Sequence, residues 1–299
     1  MRGVLDRFEP ILPKILIGVD GYYYGGKEID CRNQLHEIAA ALPELAATYI
    51  VSYLGKDPDI PAGLRPFPTQ TDAEAPAELP FAQLPFDHPV YILHTSGTTG
   101  LPKAIVHSAG GTLLQHRKEH LLHVDIAPGK RVFYFTTCGW MMWHWLVSSL
   151  ASDAAIVLFD GNPMHPGPAV LWRLAEQERV NVFGTSARYL SALEKAGYRP
   201  ATEQSLDTLE TILSTGSPLS DASFEFVYSS IHAVVQLSSI SGGTDIVSCF
   251  VLGNPLLPVY AGEIQCAGLG MAVDIFDSTG KSISEGQGEL VCTAAFPAM

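Results

Sequence analysis

The chain has 299 residues, 47% of them hydrophobic and only 16% charged. That balance excludes wholesale disorder and fits a soluble α/β protein built on one large core, with or without a small appendage. A formal net charge of −13 excludes nucleic acid and anionic membrane surfaces as partners, because too little basic charge is left to neutralise phosphates.

The first ten residues lack the apolar stretch of a signal peptide, and no apolar run approaches membrane-spanning length. A cytoplasmic protein without a membrane span is expected. The five cysteines are odd in number, scattered and free of CxxC spacing, which fits reduced thiols. Residues 13–54 read as strand, hairpin, helix and strand, with Gly25-Gly26 at the hairpin turn and helical spacing over 33–42. Residues 56–90 hold eight of the 21 prolines. Proline donates to neither helix nor ladder, so this stretch is an irregular connection. From residue 90 the pattern alternates regularly. Strands are predicted over 90–94, 131–137, 154–159, 180–184, 209–214 and 233–237, and helices over 112–123, 140–150, 169–178, 187–195 and 221–228. Such alternation implies an α/β fold with mostly parallel sheets flanked by helices. After Pro255, short strands over 259–266, 271–276 and 288–293 imply a small antiparallel β subdomain at the C-terminal end. The expected organisation is an α/β domain over 1–254 followed by that subdomain over 255–299.

The most informative run is Thr95-Ser-Gly-Thr-Thr-Gly-Leu-Pro-Lys103, set directly after a predicted strand. Gly97 and Gly100 let consecutive N–H groups turn inward as an anion nest. The hydroxyls of Thr95, Ser96, Thr98 and Thr99 add donors, and Lys103 adds a positive charge. An acidic protein needs this local density of donors to hold a triphosphate. The run is not a Walker A loop, since Lys103 stands three residues beyond Gly100 with Pro102 before it and Ala104 after. Hydrolase chemistry has no support, because Gly-x-Ser-x-Gly is absent. His116 and His120 share one helix face, but no HExxH pattern accompanies them, so a solvated or structural role is expected.

Thr-Ser-Gly-Thr-Thr-Gly-x-Pro-Lys resembles the phosphate-binding signature of the adenylate-forming superfamily, which includes acyl-CoA synthetases, luciferases and peptide-synthetase adenylation domains. The stretches Phe86-Asp-His-Pro-Val-Tyr-Ile-Leu, His107-Ser-Ala-Gly-Gly-Thr, Lys118-Glu-His-Leu-Leu-His, Gly139-Trp-Met-Met-Trp, Ser241-Gly-Gly-Thr-Asp and Pro258-Val-Tyr-Ala-Gly-Glu-Ile-Gln narrow the resemblance to the acetoacetate–CoA ligases. It implies the large domain of that superfamily, with ATP, Mg²⁺ and coenzyme A as ligands and a short keto acid as substrate. The acid is joined to coenzyme A through an acyl-adenylate.

The resemblance also implies a site. The loop from Thr95 to Lys103 takes the β- and γ-phosphates, and Gly216, Ser217 and Pro218 lie against adenine. Thr244 contacts the α-phosphate, and Asp245 stands where most relatives carry a magnesium-binding Glu. Thr244, Asp245 and Lys103 form the catalytic set. Trp140, Gly242 and Gly243 border the acyl pocket, Gly242 replacing a tryptophan that caps the short pocket of acetyl-CoA synthetases. Trp143 and Trp145 are expected to be core packing. Taken alone, Gly216-Ser-Pro218 reads as a turn before a helix capped by Ser220, Asp245 as a solvated turn carboxylate, and Gly242-Gly243 as a tight turn. The ribose-binding Asp motif, the hinge and the mobile C-terminal domain with its lysine do not appear before Met299, so a partial chain is expected. It is then a fragment of a competent ligase, an inactive nucleotide-binding remnant or, with the intact phosphate loop counting against it, a bare structural or interaction domain. Another short acid such as butyrate is the alternative substrate, since one methylene gives only about 1–3 kcal/mol of discrimination.

Overall fold

The computed structural model describes residues 1–55, 60–68, 80–95 and 102–298. The chain divides into two compact units. One comprises Met1–Pro85, His94–Ile105 and Asp160–Asn162, the other Phe86–Leu93, Val106–Phe159 and Pro163–Met299.

In the first unit α1 (Arg2–Phe8) precedes β1 (Ile15–Val19), the hairpin β2 (Gly21–Tyr24) and β3 (Lys27–Asp30), α2 (Arg32–Ala41), β4 (Ala47–Val51) and β5 (Arg65–Pro66). β1, β4 and β5 form a parallel sheet. Its core sets Leu16 and Ile50 against Leu35 and Ile38 of α2 and Leu42 at its end. The hairpin turns on Gly25 and Gly26, both at positive φ, as the sequence suggests. Helix α1 buries no residue, which is why no apolar stripe announced it.

β6 (Pro89–His94) and β7 (Ala104–Ser108) pair as a two-stranded sheet. The second unit continues with α3 (Ala109–Leu122), β8 (Arg131–Tyr134), α4 (Met141–Ser148), β9 (Ala155–Val157), α5 (Val170–Gln177), β10 (Val182–Ser186), α6 (Ala187–Lys195), β11 (Thr211–Thr215), α7 (Asp221–Ser230) and β12 (Gln236–Ser239). Five of these strands form one sheet in the order β12-β11-β10-β8-β9, parallel throughout. The register places Phe133, Phe183, Ile212 and Leu237 in one row. That row faces the core shared with α5, α6 and α7, where Trp172 stacks on Phe183 with ring centroids 4.4 Å apart. The alternate residues Val132, Tyr134, Val182 and Leu213 face the opposite way, against Met142, Trp145 and Leu146 of α4. Two helices start on serine caps: Tyr189 N–H donates to Ser186 Oγ at 3.2 Å and Ser223 N–H to Ser220 Oγ at 3.3 Å.

The chain then forms β13 (Ser241–Gly243), β14 (Ser248–Leu252) and β15 (Cys266–Ala267), an antiparallel three-stranded sheet, and the antiparallel pair β16 (Val273–Phe276) and β17 (Glu289–Cys292). The strand expected over 259–266 is confined to its last residue. There the Gln265 amide replaces a ladder: Nε2 donates to the carbonyls of Asn254 at 3.1 Å and Leu257 at 2.9 Å, and Oε1 accepts Asn254 N–H at 3.0 Å. The early start of α3 was hidden by Gly110 and Gly111. A Cβ on Gly111 would collide with the Pro297 carbonyl, so close backbone approach, not turn formation, requires that glycine.

Candidate active site

β8 and β10 are neighbours, yet the chain leaves β8 toward β9 and leaves β10 in the opposite direction toward β11. Such a switch opens a crevice at the carboxyl ends of parallel strands. Three connections meet there. After β8 the chain reaches Trp140, at the N-cap position of α4 and 48% exposed. After β11 it passes through Gly216, whose φ of 88° is a conformation glycine adopts freely. After β12 it enters β13 and the turn to β14.

These connections line a cleft with two adjoining lobes. The smaller, about 150 Å³, is bordered by Trp140, Met141, Met142, Gly243, Thr244, Ser248 and Cys249. The larger, about 380 Å³, is bordered by Ser217, Pro218, Leu219, Ser241, Gly262 and Ile264. Thr215, Gly216, Ile240 and Gly242 line both. The cleft thus brings together Trp140, the 216–218 segment, Gly242, Gly243 and Thr244. Asp245 is exposed on the turn just beyond Thr244. Trp145 is 1% exposed in the core, whereas Trp143 is only partly buried. A Cβ on Gly242 would run into the Ser248 carbonyl and lie 2.7 Å from Cys249 Cα. The residue therefore serves the close pairing of β13 with β14, where the register shifts between Ser241 and Gly242.

In the loop of 95–103, Ser96, Gly97, Thr98, Thr99 and Gly100 lie outside the described residues. Its base is closed by Thr95 N–H donating to the Lys103 carbonyl at 3.1 Å, and Lys103 is exposed.

Beneath the cleft runs a seam of buried polar side chains that sequence reasoning missed as part of the site. His107 on β7 lies with Nε2 3.0 Å from the Thr244 carbonyl. On α3, His116 Nε2 lies 2.5 Å from the Val247 carbonyl and its Nδ1 2.9 Å from Ser148 Oγ. His120 Nε2 donates to the Trp145 carbonyl at 3.1 Å. His123 donates through Nδ1 to the Gly253 carbonyl at 2.7 Å and accepts Leu269 N–H on Nε2 at 3.0 Å, a pairing that fits only the neutral ring. Burial lowers the pKa of all four, that of His120 to about 3. Glu119, fully buried, accepts from Trp145 Nε1 at 2.9 Å, from Cys249 N–H at 3.2 Å and from Ser248 Oγ in a short bond. Desolvation, and secondarily the Glu119 charge, push the Cys249 thiol well above its ordinary pKa. Of the solvated or structural role expected for His116 and His120, the solvated half does not hold, since both rings are fully buried and bonded to main-chain carbonyls. Polar residues recurring at 116, 119, 120 and 123 were the available signal, since they share one helix face.

The family model of AMP-binding enzymes matches residues 13–296, and the chain belongs to that family. It is 54% identical over 301 residues to an acetoacetyl-coenzyme A synthetase of Rhizobium meliloti (strain 1021), covering 100% of this chain and 46% of that protein. It is 47% identical to an acetoacetyl-CoA synthetase of Mus musculus, covering 99% and 45%, and 42% identical to a malonamoyl-CoA synthetase of Penicillium aethiopicum, covering 97% and 43%. The solved acetoacetyl-CoA synthetase from Streptomyces lividans superposes with a TM-score of 0.94 at 44% identity, over all of this chain and 46% of that one. The chain therefore spans less than half the length of these relatives.

Proposed function

We propose that the protein is an ATP-dependent acid–CoA ligase that forms acetoacetyl-CoA from acetoacetate, in the cytoplasm. One acid carboxylate oxygen bonds to the α-phosphorus of ATP as the bond to the β-phosphate oxygen breaks, releasing pyrophosphate and leaving acyl-adenylate. The thiolate of coenzyme A then bonds to the acyl carbon and AMP leaves with the carboxylate oxygen. Catalysis of the first step is mainly positioning and stabilisation of oxygens that gain charge. The observation that carries this reading is the single cleft shared by Trp140, Gly216, Gly242 and Thr244. Gly216, Ser217 and Pro218 would border adenine in the larger lobe, the Thr244 hydroxyl would donate to an α-phosphate oxygen, and the smaller lobe would take the acyl group. The loop of Thr95 to Lys103 would hold the β- and γ-phosphates. Among the described residues no cluster of three His, Cys, Asp or Glu stands ready for a metal. A magnesium ion brought by ATP would be held by the exposed Asp245 carboxylate together with phosphate oxygens. When bound, such an ion neutralises phosphate charge.

Acetoacetate and malonamate, the acids of the relatives named above, both carry a carbonyl β to the carboxylate and differ only by methyl against amino. With glycine at 242, the smaller lobe would lack the wall that a tryptophan would raise.

ATP–pyrophosphate exchange, measured on the product of the complete reading frame with acetoacetate, butyrate and acetate, tests the proposal. Exchange that depends on acetoacetate supports it. Preference for acetate or butyrate overturns the acid assignment, and no exchange with any acid overturns the activity. Running the 299-residue span alongside separates a competent fragment from a span that binds nucleotide without turnover.

A further inference from the structure

The turn between β13 and β14 carries Thr244 and Asp245, and it holds a backbone conformation that its sequence resists. Val247, β-branched and fully buried, has φ of 47°. A Cβ-branched side chain in the left-handed region is strained, and such strain persists only where the surroundings over-determine it. The turn's own hydrogen bonds are weak: Val247 N–H reaches the Thr244 carbonyl at 3.3 Å and Ile246 N–H the Gly243 carbonyl at 3.4 Å. What holds it comes from outside. The Thr244 carbonyl at one end takes His107 Nε2 at 3.0 Å, and the Val247 carbonyl at the other end takes His116 Nε2 at 2.5 Å. Both rings are fully or almost fully buried, at 2% and 0% exposure.

We propose that His107 and His116 are positioning residues for adenylation, a clamp that fixes the strained turn of Thr244–Val247 and so sets where the Thr244 hydroxyl and Asp245 carboxylate meet the nucleotide. This rests on the ligase reading for its kinetic consequence, while the clamp itself stands on the geometry alone. Neither His107 nor His116 borders the cleft. Each acts through a main-chain carbonyl at an end of the turn. β14 has its own anchors, since Glu119 accepts from Cys249 N–H and Ser248 Oγ, and His123 donates to the Gly253 carbonyl just beyond its end. Loss of His107 should therefore loosen the turn and spare the strand.

The test uses His107→Ala and His107→Asn in the protein from the complete reading frame. Asparagine keeps an N–H donor on a short side chain. His116→Gln repeats the test at the other end of the turn. Hydrogen exchange of the 244–247 amides is read beside exchange of β10 and β11, together with the kinetics of ATP–pyrophosphate exchange. His107→Ala is expected to speed amide exchange in the turn about 10-fold or more while the sheet is unchanged. It should also lower kcat for adenylation by roughly 100-fold, with KM for the acid changed by less than about threefold, because misplacement of a reacting group acts on the transition state. His107→Asn should restore most of both. The proposal is overturned if turn exchange is unaffected, or if turn and sheet loosen together, which is what a merely structural role gives. If the wild type shows no pyrophosphate exchange, the ligase reading fails by itself and turn protection still decides the clamp.

Discussion

The two faces of the five-stranded sheet are built on different principles. On the α5–α7 face, Phe133, Trp172, Phe183, Leu190, Leu193, Ile212 and Leu237 make a closed apolar core. On the other face, the apolar row from Val132 to Leu213 meets α4, and α3 adds Gln115, His116, Glu119, His120 and, just beyond its end, His123. Apolar contacts are non-directional, so the first face stabilises the sheet without fixing any one backbone atom. Hydrogen bonds to named carbonyls fix register, so the second face can place the turn that borders the cleft. The cost is desolvation of buried polar groups, which their hydrogen bonds have to offset.

The sharpest way to break this comparison is Glu119→Ala, which leaves Trp145 Nε1, the Ser248 hydroxyl and Cys249 N–H without their buried acceptor. A loss of about 3–5 kcal/mol in urea unfolding is expected. Glu119→Gln, which keeps one acceptor oxygen, should lose about 1–3 kcal/mol. Equal losses in the two variants would show that the seam is ordinary packing. On the apolar face, Leu190→Ala should cost about 3 kcal/mol through a cavity, while ATP–pyrophosphate exchange at a temperature where the variant is folded stays within about twofold of wild type.

The histidines give the comparison a pH signature. Their folded pKa values lie below the ordinary 6.5, mainly through burial. Above pH 6.5 they are neutral folded or unfolded, and stability does not depend on them. Below it the unfolded chain binds the extra protons, so stability falls as pH falls, by up to about 1.4 kcal/mol per pH unit for each ring. For His120 the slope should persist down to about pH 3. Urea midpoints from pH 7.5 downward for wild type and His120→Gln should differ in slope by about one proton, and parallel curves would refute the assignment. The smallest effect belongs to the apolar face: Ser220→Ala, removing the cap of α7, should cost about 1 kcal/mol by thermal unfolding, with no change at the cleft.

Much of the sheet was legible because buried parallel strands are short apolar runs between helices. α6 was predicted over 187–195 and occupies that span, and α7 begins where Ser220 was expected to cap it. The strand over 259–266 misled because apolar alternation cannot reveal that the Gln265 side chain would satisfy the local carbonyls in place of a partner strand. β13 was missed for the opposite reason, since Ser-Gly-Gly carries no strand propensity and pairs where Gly242 lets two backbones approach. The α3 helix was found but its orientation was not. Leu114 and Leu122 are 52% and 54% exposed while Glu119 and His120 are fully buried, the reverse of a simple amphipathic helix.

By itself the sequence determined the alternation of strands and helices, the serine caps, the donor-rich run from Thr95 to Lys103 and the family resemblance, all of which are local in the chain. Only the tertiary structure decided that the ends of the turn from Thr244 to Val247 bond to His107 and His116, residues more than a hundred positions earlier. The physical reason is that periodicity reports which residues prefer to leave water, whereas a buried polar group is tolerable only once a particular distant partner meets it. That pairing is a property of the assembled fold.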